Sequence, residues 1–287
     1  MPATPTRRKR RLGQLLERLR LDAGRSLVDI AELLRISDST VSRYETGKIR
    51  PGWPAIQAML GYYGVGDEVR AEAAVLWEDA GEKLLTAVAP TGSPPAFRAF
   101  LRAEAEAEVE RSLEPVVVPG LLQTAAYARA INIAGQDFYS ALARPERYVS
   151  ARISRQARLG GEAPLTFHAV MDEAVCHREV GGPEVMVEQL QHLIEMAGRP
   201  TVNVQIVPYR AGAYGMMSGG FAILAYADVE DPPLVYLEHA AGGSLVENGA
   251  DVARFQEQFA VAARQALSPG ESVDLLASQV GALEKRS

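Results

Sequence analysis

Residues 12–63 carry a short apolar spacing of helical period that recurs segment after segment, each closed by a glycine or a capping hydroxyl. Leu12, Leu15, Leu16 and Leu19 fall at i, i+3, i+4 and i+7, which predicts an amphipathic helix from Arg11 to about Ala23, stopped near Gly24. Ser26 then stands as an N-cap with Asp29 in the first turn, and Leu27, Ile30, Ala31 and Leu34 repeat the spacing over a second short helix, 27–34. Ile36 turns inward, Ser37 caps, and a third helix runs 38–46 with Val41 and Tyr44 as its inward pair before Gly47 ends it. Trp53, Ile56, Leu60 and Tyr63 mark a fourth helix after Pro51. Helices this short are marginal alone and must bury their apolar faces on one another.

Two short helices joined by a tight turn and enclosed by two others form a helix-turn-helix. The charge distribution fits that reading. The chain carries a formal charge of −6, yet residues 1–60 hold 12 Lys+Arg against 6 Asp+Glu, leaving 18 against 30 for the remainder. A basic head on an acidic body points the head, and not the body, at a polyanion. The face of the third helix opposite Val41 and Tyr44 carries Ser39, Thr40, Ser42 and Arg43, small hydroxyls that allow close approach to base edges and one guanidinium suited to bidentate readout of guanine. Asp38 either accepts from a cytosine amine or complements the helix N-terminus, the latter being preferred. Ser37, Lys48 and Arg50 suit phosphate contacts, and Arg35 in the turn is a further cation for the same role. Arg7 to Arg11 belong to a basic arm, residues 1–10 and the start of the first helix, that follows the DNA backbone, reaches the minor groove, or is a disordered tail.

"SLVDIAELLRISDSTVSRYETGKIRP" resembles the XRE (Cro/CI-type) helix-turn-helix over roughly residues 11–65. The chain departs from that family's habit in having Leu27 where a Gln is frequent and Arg35 where Gly is preferred in the turn. The resemblance implies a homodimeric regulator of double-stranded DNA.

Beyond the head, Val69, Ala73, Leu76, Trp77, Ala80, Leu84 and Leu85 continue helically, so the DNA-binding domain spans 11–88, and "APTGSPP", 89–95, reads as a linker to a carboxy-terminal regulatory and dimerisation domain, 96–287. A charged helix is expected from Phe97 to Leu113, with Glu104, Glu106, Glu108 and Glu110 as a solvated face. Residues 165–171, 202–207, 221–227 and 234–238 have strand composition, Pro183 to Ala197 a helical spacing, and "SPGE" at 268–271 is a capping box opening a last helix. The expected fold class is therefore an all-helical helix-turn-helix bundle followed by a mixed α+β domain with a small sheet. "EPVVVPGLLQTAAYARAI", "RQARL", "MDEAV", "VGGPEVMVEQLQHL", "VNVQIVPY", "GGFAIL" and "LVYLE" resemble, in order, a domain of uncharacterised function that follows such heads in actinomycete WhiJ-like regulators. That resemblance implies a homodimer often paired with a small partner protein in an antitoxin-like module.

Catalytic signals are thin. The four histidines show no metal-ligand spacing, and Cys176 and His177, adjacent on a predicted helix, point about 100° apart, so the lone cysteine reads as a small buried residue. No enzyme activity, metal or cofactor is expected. In the loop 211–220, Tyr214, Met216 and Met217 look exposed and suit a partner or ligand, although a plain hairpin connection fits equally. With 47% hydrophobic residues, 23% charged ones and no membrane-length apolar run, a soluble cytoplasmic protein is expected.

Overall fold

Every apolar spacing of the head becomes a helix. The computed structural model describes residues 7–81, 94–135, 145–214, 219–227, 231–239 and 242–286, and the chain divides into two units, Met1–Leu84 and Leu85–Ser287. In the first, helices α1 (Arg7–Asp22), α2 (Leu27–Leu34), α3 (Asp38–Glu45), α4 (Trp53–Tyr63) and α5 (Asp67–Gly81) enclose a core of Leu12, Leu15, Leu16, Leu19, Ile30, Val41, Ile56, Met59 and Leu60. Helix α1 begins four residues before the expected Arg11, so the basic residues from Arg7 form its first turn and not an extended arm. The charge run hid this start, because polar residues give no apolar period to read. Most of the expected linker, 89–93, lies outside the described residues, as do Leu84 and Leu85.

The second unit is built on a six-stranded sheet of order β3-β2-β1-β4-β5-β6. Strands β1 (Val109–Glu114), β2 (Thr166–Asp172) and β3 (Val202–Val207) run parallel; β4 (Phe221–Ala225), β5 (Leu234–Leu237) and β6 (Ser244–Val246) continue the sheet in antiparallel pairs. The parallel half follows from its crossovers, α7 (Ala125–Gly135) and α8 (Pro145–Arg155) before β2, then α9 (Ala174–His177) and α10 (Pro183–Ala197) before β3. One sheet face, with Phe167, Ala169, Met171, Val204, Ile206 and Leu224, packs on α6 (Pro95–Glu106), α10 and α12 (Pro269–Glu284). The other face, with Val170, Val207, Ile223 and Val235, packs on α11 (Gly249–Gln265). The capping box at Ser268 is made: its hydroxyl accepts from the Glu271 N–H at 3.3 Å while Glu271 accepts from the Ser268 N–H at 2.9 Å. The mixed fold class is as expected.

The expected charged helix is not. Helix α6 stops at Glu106, and the chain enters the sheet as β1, its most central parallel strand. Register places Glu110 beside Phe167 and Leu224, and Ser112 beside Ala169 and Ala222, so one polar side of β1 faces the helix-covered core. Glu104 and Glu110 are 2% and 4% exposed, not a solvated face. The inward positions of β1 are Glu110, Ser112 and Glu114, so the apolar side that marks a strand is missing and the segment reads as a continuation of the charged helix before it. Glu104 is neutralised by Arg155, whose Nε donates to both its carboxylate oxygens at 3.1 and 3.0 Å.

Tyr214 also departs from expectation. It is buried, 6% exposed, in the core with Val207, Phe221 and Val235, and its hydroxyl engages Asp172. A Gly/Ala-rich loop gives its one aromatic ring a strong hydrophobic reason to fold inward. Met216 and Met217 lie outside the described residues.

Glu114, at the end of β1, has its carboxyl pushed from 4.5 up to about 8, first by burial, against which the Ser112 hydroxyl donates at 2.9 Å, and further by Glu238. The folded state thus keeps a proton that the unfolded chain has released, and the sign follows: this stability is full below the unfolded value and is lost as pH rises through the folded one. Thermal unfolding of wild type should weaken relative to Glu114→Gln as pH climbs from about 5 to about 8. The difference between the two proteins isolates Glu114 from His168 and His192, which burial shifts downward.

Candidate nucleic-acid interface

The local sequence builds the turn between α2 and α3 from side-chain caps. Ser26 and Asp29 make a reciprocal box at the start of α2, with Ser26 N donating to Asp29 at 2.7 Å and Asp29 N to Ser26 Oγ at 3.2 Å. The Ser26 N–H, and with it the Ser26 hydroxyl at 2.9 Å, donate to the Asp29 carboxylate and hold it below its usual range. Helix α2 ends at Arg35, which adopts the left-handed conformation, φ 55°, and is the only non-glycine with positive φ among the described residues. Its N–H reaches Ala31 and Glu32 carbonyls, closing the helix. A glycine is the usual solution there, so the arginine carries conformational cost in exchange for an exposed cation in the turn.

Helix α3 opens on Ser37, whose Oγ accepts from Thr40 N at 3.2 Å and lies 2.9 Å from both Ser39 Oγ and Thr40 Oγ1. Asp38 accepts from Ser39 N at 2.7 Å, the helix-terminus role preferred for it. Val41 is fully buried; Ser39 and Arg43 are exposed, and Thr40 and Ser42 are half-buried. Of the expected reading residues, Ser39 and Arg43 therefore face outward, with Thr40 and Ser42 at the flanks of the same helix. The Thr46 hydroxyl donates to Ser42 O at 2.8 Å and finishes the last turn.

What holds α3 in place was not read from the sequence. Arg20 of α1 grips Glu45 of α3 through Nε at 2.7 Å and Nη2 at 3.0 Å, both side chains under 10% exposed, and its Nη1 donates to Arg25 O at 2.9 Å. At Gly13 a Cβ would sit 2.2 Å from the Glu45 carbonyl oxygen, so bare backbone lets α1 and α3 touch. Gly47, φ 68°, would bring a Cβ within 2.7 Å of the backbone at Lys9 and Arg10. The turn bearing Lys48 thus lies against the basic start of α1. An isolated glycine within the leucine spacing of α1 was the signal available for this close approach.

Lys48 is exposed beyond α3. Arg50, expected at the phosphates, is turned to the scaffold instead: Nε and Nη2 donate to Trp77 O at 3.0 and 2.7 Å, and the guanidinium lies 3.8 Å from the Trp77 ring centre. Trp77 Nε1 in turn donates to Pro51 O at 2.9 Å. A carbonyl and an aromatic face offer this cation more than exposed water does, and they lock α5 to the loop before α4.

In the second unit His168 and His177 are used in packing and hydrogen bonding. His168 Nε2 lies 2.7 Å from Gln205 Oε1 and its ring meets Phe259 edge-on at 5.0 Å, while His177 stacks on Tyr209 at 5.5 Å. Cys176 is buried, and burial pushes its thiol up to about 12. Among the described residues no three of His, Cys, Asp and Glu gather as a metal site, and no helix is long and apolar enough to cross a membrane.

Two family models match. Residues 11–73 match a helix-turn-helix domain, and residues 97–278 match a domain of unknown function, DUF5753. The chain belongs to the DUF5753 family. No curated protein and no solved structure matches it. The helix-turn-helix match on the amino-terminal unit indicates that this DUF5753 protein is a DNA-binding regulator.

Two substitutions test how the helix pair is held. Glu45→Ala leaves the Arg20 guanidinium buried and unpaired, and should cost the first unit about 3–5 kcal/mol in chemical denaturation. Arg35→Gly relieves the left-handed backbone and should add about 0.5–1 kcal/mol in the same measurement.

Proposed function

We propose that the chain is a homodimeric, sequence-specific transcriptional repressor that reads operator half-sites with α3. The observation that carries this reading is the exposed pair Ser39 and Arg43, with Thr40 and Ser42 half-buried beside them, on a helix whose opposite side is clamped to α1. Arg43 would contact guanine through two N–H donors, with Ser39, Thr40 and Ser42 close to the base edges and Asp38 committed to the helix terminus. Ser37, Arg35 and Lys48 would meet phosphates on either side and fix the register. Dimerisation is inferred because one short helix offers few base contacts, whereas paired half-sites double them.

The acidic body, on this reading, joins the protomers and receives the signal. The likeness to WhiJ-like regulators supports a small partner protein as that signal, in an antitoxin-like pairing within the cytoplasm. A second reading, sensing of a small molecule, is favoured by a specific feature, the buried polar side of β1. Neither assigns the body a reaction.

Genome-wide binding, followed by anisotropy titrations on recovered fragments, tests the head. Arg43→Ala should relax base preference at one position of each half-site, by about 1–3 kcal/mol of lost discrimination. Lys48→Ala should weaken binding to all sequences alike and reduce the salt slope by about one. An unchanged sequence profile for Arg43→Ala would remove the assigned reading role.

A further inference from the structure

The turn after α3 carries Lys48 and Ile49 at exposed positions. It leads to Gly52, which opens α4 without a side-chain cap bond, so no capping group fixes the approach to that helix. A lysine on a loose turn has to be ordered each time it meets a phosphate, and that ordering opposes binding.

The turn is anchored by tertiary contacts at its start, middle and end. At the start, a Cβ on Gly47 would lie 2.7 Å from Arg10 N, so the bare backbone rests on α1. In the middle, Ile49 N donates to Arg43 O at 3.0 Å, which joins the turn to the residue assigned to read guanine. At the end stands Trp77 of α5. Its carbonyl accepts from Arg50 Nε at 3.0 Å and Nη2 at 2.7 Å, and its indole N–H donates to Pro51 O at 2.9 Å. The Arg50 guanidinium lies 3.8 Å from the centre of the Trp77 ring. Trp53 packs on that ring with centres 5.1 Å apart, and Gly81 leaves the space, since a Cβ there would fall 2.5 Å from the guanidinium.

Filling a core needs none of this polar matching. Trp77 is half-buried, and its carbonyl and indole N–H both serve two consecutive residues of the turn. A cation held by a carbonyl near the carboxyl end of a helix and by an aromatic face is fixed in place and in plane. With Arg50 turned to α5, Lys48 is left as the outward cation of the turn.

We propose that Trp77 is a positioning residue for DNA binding: through Arg50 and Pro51 it holds the turn 47–51 so that Lys48 meets the phosphates. The inference deepens the reading of the first unit as a DNA-binding head and rests on it. Trp77 needs no contact of its own with DNA. Helix α5 thereby governs a contact made by another part of the unit.

The test uses the full chain, a labelled duplex cut from a fragment recovered by genome-wide binding, and anisotropy titrations over a range of salt. In wild type, Lys48→Ala should reduce the salt slope by about one. In Trp77→Leu, which removes the ring and the indole N–H, the same substitution should have less than about half that effect, because the lysine is no longer presented. Arg50→Gln and Lys48→Ala together should lower the slope by about one in total. Trp77→Phe keeps a ring beside the guanidinium and should restore most of the Lys48 effect. Trp53 and Trp77 are the two tryptophans of the chain, so fluorescence emission reports whether this corner is folded in each variant. If Trp77→Leu does not fold, the Arg50→Gln pair carries the test. A Trp77 that only stabilises the unit would lower the melting temperature on substitution yet leave the Lys48 effect at full size, and that result would overturn the assignment. A slope lowered by about two in the Arg50→Gln, Lys48→Ala protein would also overturn it, by placing Arg50 on the phosphates. So would wild-type binding that is indifferent to Lys48→Ala. Wild type that binds no duplex even at low salt would instead fell the DNA-binding reading itself, which separates the two failures.

Discussion

The bidentate contact between Arg20 and Glu45 orders the amino-terminal unit, because it ties the first helix to the end of the third across the leucine core. A buried pair of this kind contributes little net stability over an apolar substitute, yet it tolerates almost no change in geometry. Two flat ionic groups must meet edge to edge, and the Gly13 and Gly47 contacts allow the backbones to come close enough for that. The arrangement specifies an orientation more than it adds stability. For a helix that must enter a groove, orientation is the quantity of value.

How much of this was legible depends on whether the cause was local. Caps and apolar periods act within a few residues, so Ser26, Ser37, the 183–197 helix and the Ser268 box could be placed from the sequence. Strands with Val, Ile and Leu on alternate positions were equally readable. Strand β1 was not, since its inward positions are Glu110, Ser112 and Glu114 and the pattern that marks a strand is apolar. The interface residues on α3 were legible as a face. Their anchorage was not, because Arg20 and Glu45 are 25 positions apart and nothing near either one announces the other. Arg50 was misjudged for a related reason: its partner, Trp77, lies 27 positions away.

The two units use polar burial differently. In the head, buried charge is fully matched by donors and acceptors that the chain supplies. In the body, the Glu104–Arg155 pair is matched in the same way, but Glu110 beside it is not. Local rules that a fold generally respects are most often broken where a protein has something to do. The contrast within one chain makes Glu110 a more pointed observation than a polar residue in a loosely packed core would be.

The positive φ of Arg35 has a bearing on how such a chain changes over generations. Holding an arginine where glycine would sit more easily uses up some of the head's tolerance for damage, so nearby mutations that an unstrained relative would absorb fall closer to the threshold of unfolding. The exposed side chain of Arg43 stands outside this restriction, whereas Ser39 and Thr40 share the Ser37 cap. Target preference in such a lineage is therefore free to drift quickly, while the corner that presents it changes slowly.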